Sequence, residues 1–418
     1  MRLNSDNRHW IINAGDFLKI AILALVAVQL LSYYGAQWVI ERHEWSNQVT
    51  ASQMAQNNMT FILVRLSALA LILIVFMTSV RCTSNDVLWT FVILAISVIH
   101  MIIKVMQSGF LESLYQSSMP LMYLLIFGFW IGQKQQLWKA VESLIPLLLT
   151  VYIAAFLFTF ARFYLENGWA IFQNSSLMVY YSQAFALALP FLYSRFRRKK
   201  AGVTVYLTLL FFLMGAVMLR ARSWMIQSVL LLLVAGVTAA RAKGRSAAAF
   251  LRFFVTFSII TVAAGWLFQN YLTEFLDSLV EKGTTDSRSF QYTEMLTQTR
   301  WYDWIFGKGA NATYVSKLYG EYQFIDNEFF YMSFHYGVIF ALCYFAPYLR
   351  TLFACIRVGG KGKLAYFAAF CALIWILSVN GLSVYHRILL DVKSFIIPAF
   401  MGYLLADVRQ QRMEAEKA

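Results

Sequence analysis

The sequence predicts an all-α polytopic membrane protein of about twelve transmembrane helices, and three observations predict it. The 418 residues are 60% hydrophobic and 13% charged, against about 25% charged in an ordinary soluble domain. Apolar runs of about 20 residues, each long enough to cross the hydrocarbon core as a helix, recur along the whole chain. The formal charge of +14 is uneven, with lysine and arginine concentrated in short connections between those runs. The positive-inside rule requires that pattern, and it excludes a nucleic-acid surface as the reason for the net charge.

In order, spans are expected at 17–40, 59–80, 87–106, 118–133, 143–164, 176–194, 203–219, 223–240, 252–270, 327–349, 364–384 and 391–406. Arg2, Arg8 and Lys19 stand at the start of the first, which places the amino terminus in the cytoplasm. The run Phe17–Ile40 is too long for a cleavable signal and lacks a small-residue cleavage site. Inner connections are expected at 81–86, 134–142, 195–200, 241–252 and 350–363, with an inner tail from Asp407. Every dense basic cluster then falls on one side. The outer connections are 41–58, 107–117, 165–175, a tight turn at 220–222, the large loop 271–326 and 385–390. The chain thus reads as one integral membrane domain, 1–418, with a partly helical outer loop at 271–326 between helices nine and ten. Cys82, Cys343, Cys355 and Cys371 fall in helices or inner connections, so no disulfide is expected. The five prolines do not recur at matching places in two halves, and the inverted repeat of many transporters is not visible.

The residues able to do chemistry gather at the outer ends. Arg220 and Arg222 sit at the mouth of a tight hairpin between two charge-free runs, where the charge rule prefers none. They either snorkel to the headgroups or hold an anion, for which the planar, permanently charged guanidinium suits a phosphate. Arg288 follows Asp286 and Ser287 at a helix start. A cation there opposes the helix dipole, so it pairs with Asp286 or Glu294, or it holds an anion together with free N–H groups. Asp326 or Asn327 caps the next helix, or Asp326 or Glu328 acts as a base or orients a hydroxyl. Tyr385, His386 and Arg387 in the last outer loop belong either to an interfacial belt or to the same site. His335 reads as a packed side chain, and Phe306-Gly-Lys-Gly309 as a flexible turn. The five histidines are scattered with no ligand spacing, so neither a metal set nor a cofactor is expected.

The order of these elements resembles the O-antigen polymerase and O-antigen ligase superfamily of bacterial envelope enzymes. The resemblance rests on Leu219-Arg-Ala-Arg-Ser-Trp224, Asp286-Ser-Arg288, Phe306-Gly-Lys-Gly309, and Asp326-Asn-Glu-Phe-Phe330 followed by Gly337, and covers roughly residues 200 to 345. It implies a GT-C-like fold in the inner membrane, a site at the periplasmic face and metal-free glycosyl transfer. Arg222 and Arg288 would hold the pyrophosphate of an undecaprenyl-pyrophosphate-linked oligosaccharide. Arg220, Asn327, Tyr385, His386 and Arg387 would line the substrate site. Membrane lipid is a further expected partner, with a chain-length regulator and a flippase of the same pathway. The ligases tend to have histidine where this chain has Asp326, which favours a polymerase. A ligase acting on lipid A-core and a lipid-linked glycan flippase are the alternatives.

Overall fold

The computed structural model describes residues 2–3, 10–11, 13–39, 59–80, 84–108, 119–167, 175–200, 202–219, 222–242, 287–309, 312–317, 320–322, 325, 327–358, 364–377 and 391–417. Two residue pairs near the amino terminus, β1 (Arg2–Leu3) and β2 (Trp10–Ile11), form a short antiparallel ladder. The helices that follow are α1 (Ala14–Val39), α2 (Met59–Ser79), α3 (Ser84–Ser108), α4 (Met119–Gly132) and α5 (Gln135–Asn167). Next come α6 (Ser175–Arg197), α7 (Val203–Met218), α8 (Arg222–Ala242), α9 (Ser287–Thr297) and α10 (Trp301–Phe306). A hairpin, β3 (Tyr314–Ser316) with β4 (Gly320–Tyr322), leads to α11 (Glu328–Tyr336), α12 (Val338–Val358), α13 (Ala365–Leu377) and α14 (Val392–Lys417).

The protein is an all-α membrane protein. Among the described residues, five segments, Ala14–Ser32, Met59–Ser79, Gln135–Leu165, Leu177–Arg197 and Val338–Val358, are long and apolar enough to cross a bilayer. Val87–Ile103, Val203–Met218, Trp224–Thr238 and Ala365–Ile376 are shorter apolar helices. The outward faces carry large apolar side chains: Leu88 is 73% exposed and Phe91 67%, a surface suited to hydrocarbon. The expected span 252–270 lies outside the described residues, as does Cys82.

Three sequence expectations are corrected. The stretch 134–142, read as an inner connection, is helical from Gln135, because α5 continues past the apolar run. Likewise the tail beyond Asp407 continues as helix to Lys417. The single span 327–349 is two helices, α11 and α12, broken at Gly337 with φ +90°.

Paired contacts at two levels give the helix directions. Gln183 meets Asp391 near one end of α6 and Tyr193 meets Asp407 near the other, so α6 and α14 run parallel. Tyr152 bonds Gln29 while Gly15 abuts Ala140, making α1 and α5 parallel. Glu142 meets Ser194 and Arg198 while Phe156 meets Tyr181, making α5 and α6 antiparallel. Trp89 bonds the Cys343 carbonyl and His100 packs on Tyr336, so α3 runs against the α11–α12 pair. The helix ends near Lys134, Arg195–Lys200, Arg350, Arg357, Arg409 and Arg412 therefore share one end of the bundle, and α9 to α11 lie at the other.

α14 and α6 form the buried centre, with Leu189, Leu192, Phe395 and Leu404 inaccessible. α14 packs most tightly on α4, where Gly128 and Gly132 sit four residues apart on one face. A Cβ at Gly132 would collide with the carbonyl of Ala399, and one at Gly402 with the carbonyl of Phe129. Because both obstacles are backbone, Gly132→Ala or Gly402→Ala must push the helices apart. Each is expected to cost about 3 kcal/mol, the upper end of ordinary overpacking. Gly202→Ala, with open space around it, is the control. Detergent melting curves in which all three variants match the wild type would refute this packing.

Candidate functional site

The candidate site is built at the end of the bundle away from the basic cluster. It starts with α9, whose first turn carries Arg288. Glu294 and Gln298, four residues apart and so on one helix face, fasten the hairpin to α9. The Gln298 side chain donates to the Val315 carbonyl and accepts from its N–H, both at 2.8 Å, the double bond a neighbouring strand would make. Glu294 Oε1 accepts the Lys317 N–H at 2.9 Å. Glu294 is thus engaged in holding the hairpin. Arg300 begins α10 with a reciprocal cap, its N–H donating to Asp303 at 2.9 Å.

The Phe306-Gly-Lys-Gly309 turn is docked, a correction to its reading as a flexible turn. Lys308 N–H donates to the Phe334 carbonyl at 2.8 Å and Gly309 N–H to the His335 carbonyl at 3.0 Å. His335 Nδ1 lies 2.9 Å from the Gly309 carbonyl. Gly307 and Gly337 have φ +77° and +90°, and a Cβ on either would strike the other segment's backbone. Only glycine permits this approach. His335 is fully buried and packed, as its sequence surroundings predict.

This docking makes α9, α10 and α11 one unit. The Tyr292 ring, one turn beyond Arg288, lies 5.1 Å from that of Phe330 in α11. Asn327 caps α11, its Oδ1 accepting the Phe330 N–H at 3.1 Å. Glu328 follows, 3% exposed, with Tyr344 donating to its Oε1 at 3.3 Å. Arg288 and Asn327–Glu328, distant in sequence, are therefore carried on packed neighbours.

Below them lies a group to which the sequence reading, noting Asp391 and Lys393 only as charges opening the final span, gave no role in the site. Lys393, in the first turn of α14, is 4% exposed and its Nζ lies 3.9 Å from Asp391 Oδ2. The Glu328 carboxylate also acts on this ammonium through space. Asp391, fully buried, caps α14 by accepting the Ser394 N–H at 2.8 Å. Gln183 donates to Asp391 Oδ2 at 2.7 Å and accepts the Lys393 N–H at 2.8 Å. Eight residues into α6, it sits roughly 12 Å along the helix. Lys393 Nζ donates to Ser182 Oγ at 3.3 Å. The signal was available: two charges of opposite sign opening an apolar run are costly in a membrane unless paired.

Arg222 is the first residue of α8, and its side chain, like that of Arg288, lies outside the described residues. Trp224, two residues on, stacks on Tyr181 of α6 with centroids 4.6 Å apart. The Tyr181 hydroxyl donates to the Phe212 carbonyl at 2.7 Å and lies 3.0 Å from Ser228 Oγ. That fixes the start of α8 at the same end of the bundle as Glu328 and Lys393. Arg220, Asp326, Tyr385, His386 and Arg387 lie outside the described residues. Among the described residues, no group of three His, Cys, Asp or Glu side chains could hold a metal ion.

No family model, curated protein or solved structure matches the chain.

Proposed function

We propose that the protein is a glycan polymerase of a bacterial inner membrane. It transfers a growing glycan from undecaprenyl pyrophosphate to the non-reducing end of a new lipid-linked repeat unit. One observation supports this reading most: Arg288, Asn327 and Glu328 are mounted on packed elements at the end of the bundle where Arg222 begins α8. In this reading the chain has twelve spans and a GT-C-like arrangement. The basic end then faces the cytoplasm with both termini, and the loop 271–326 faces the periplasm.

An acceptor hydroxyl attacks the anomeric carbon, its oxygen forming the new glycosidic bond while the bond to pyrophosphate breaks. The hydroxyl proton passes to Asp326, and the pyrophosphate leaves on its lipid. Charge grows on that leaving group, so guanidinium groups aimed at it supply the main stabilisation, and acid catalysis is unnecessary. Glu328 and Lys393, buried as they are, support α11 and α14 from below.

Purified protein in proteoliposomes with lipid-linked repeat units is expected to build a ladder of longer lipid-linked glycans, with or without EDTA. Absence of a ladder from folded, monodisperse preparations overturns the reading. A second reading, a lipid-linked glycan transporter, is favoured by the buried Gln183, Asp391, Lys393 and Arg65, since charges inside a bundle mark transport paths. Movement of single repeat units across the bilayer without a ladder would establish it.

A further inference from the structure

The outward face of α10 runs against the pattern of a helix in water. At about 100° per residue, Trp301, Ile305, Tyr302 and Phe306 fall within an arc of about 140°. Trp301 is 73% exposed and Phe306 70%, and Tyr302 is exposed as well. The opposite side holds Asp303 and Trp304. Asp303 accepts the Arg300 N–H, while Trp304 packs on Phe330 of α11 and its Nε1 donates to Thr299 Oγ1 at 3.1 Å. A helix bathed in water turns its polar side out, whereas this one turns out aromatic rings.

The position of this face identifies what covers it. A Cβ on Gly337 would strike the Ile305 carbonyl, and one on Gly307 the His335 carbonyl, so the end of α10 touches the backbone just before α12. That helix is long and apolar enough to span a bilayer. Early in it, Ile339 and Leu342 are both exposed, three residues apart and so on one helix face. The Ile305–Phe306 end of α10 is thus level with the start of a lipid-facing stripe. Aromatic side chains concentrate at that depth, because an apolar ring with a polar tip suits the boundary between acyl chains and headgroups. Lys308, exposed two residues past Phe306, supplies the cation that accompanies aromatics on membrane-surface helices.

We propose that α10 lies on the bilayer with Trp301, Tyr302 and Phe306 inserted into the headgroup layer, at the end of the bundle opposite the basic cluster. Because α9, α10 and α11 form one unit, this contact sets the height of that unit above the acyl chains. The inference is independent of the reaction the protein performs.

Fluorine NMR of the full chain in lipid nanodiscs tests it, with 5-fluorotryptophan at all twelve tryptophan positions and Trp301→Phe to assign one line. Phosphatidylcholine carrying a nitroxide on its headgroup is the membrane probe, and a soluble gadolinium chelate is the water probe. The Trp301 line is expected to lose most of its height to the lipid nitroxide and less to gadolinium. Should Trp301→Phe fail to fold, Trp301→Tyr assigns the same line. A loss to gadolinium equal to or larger than that to the nitroxide overturns the proposal, since the ring would then stand in water. Insensitivity to both also overturns it, because another protein surface, such as a second copy of the chain, would then cover the ring.

Discussion

Arg222→Lys and Arg288→Lys are each expected to lower polymer formation about 100-fold, although both keep the positive charge. Removing one preorganised donor from a developing anion costs on the order of 10²- to 10³-fold, and lysine cannot make the bidentate fork. The backbone at both positions is held in place: Trp224 stacks on Tyr181, and Tyr292 packs on Phe330. A lysine therefore cannot compensate by moving its helix. Arg300→Lys is the control from the same outer segment, since Arg300 is exposed and its guanidinium bonds the Tyr302 hydroxyl at 2.6 Å. The readout is the glycan ladder per mole of folded protein, checked by size exclusion. Near-normal ladders from both lysine variants would reduce the two residues to general electrostatic roles. Loss in Arg300→Lys as well would trace the effect to the fold of the segment.

Lys393→Met is expected to destabilise the protein by about 3–5 kcal/mol, the usual cost of leaving buried carboxylates without their cation. Asp391 and Glu328 are both at most 3% exposed, and neither can turn to water. The same logic predicts rescue: Lys393→Met with Asp391→Asn and Glu328→Gln removes the uncompensated charges and should recover a large part of the loss. The Asn side chain can still cap α14 by accepting the Ser394 N–H, as Asp391 does at 2.8 Å. Melting temperatures in one detergent decide this. A single variant as stable as the wild type, or a triple variant no better than the single, would show that these charges are not coupled.

Helix positions were largely legible in the sequence, because a membrane helix satisfies its backbone hydrogen bonds within itself and requires only a sufficiently long apolar run. The Asn327 cap was legible for the same local reason, its partner Phe330 lying three residues away. Which segments are helical was legible from the apolar runs, but where the helices end was not. Charged residues interrupt an apolar run without ending a helix, and 135–142 and the tail beyond Asp407 continue as helix.

The features that define the site depend on contacts between distant segments. The apolar run across Gly337 gave no local sign of a break, because the cause is the Phe306–Gly309 turn arriving against its backbone. Lys393 becomes a buried partner of Asp391 and Ser182 because α14 runs parallel to α6. The sequence by itself determined which segments are helices and which ends carry charge, since length, apolarity and charge act residue by residue. Only the tertiary structure decided which charges meet, because pairing in a low-dielectric interior depends on distances between helices that no local pattern encodes.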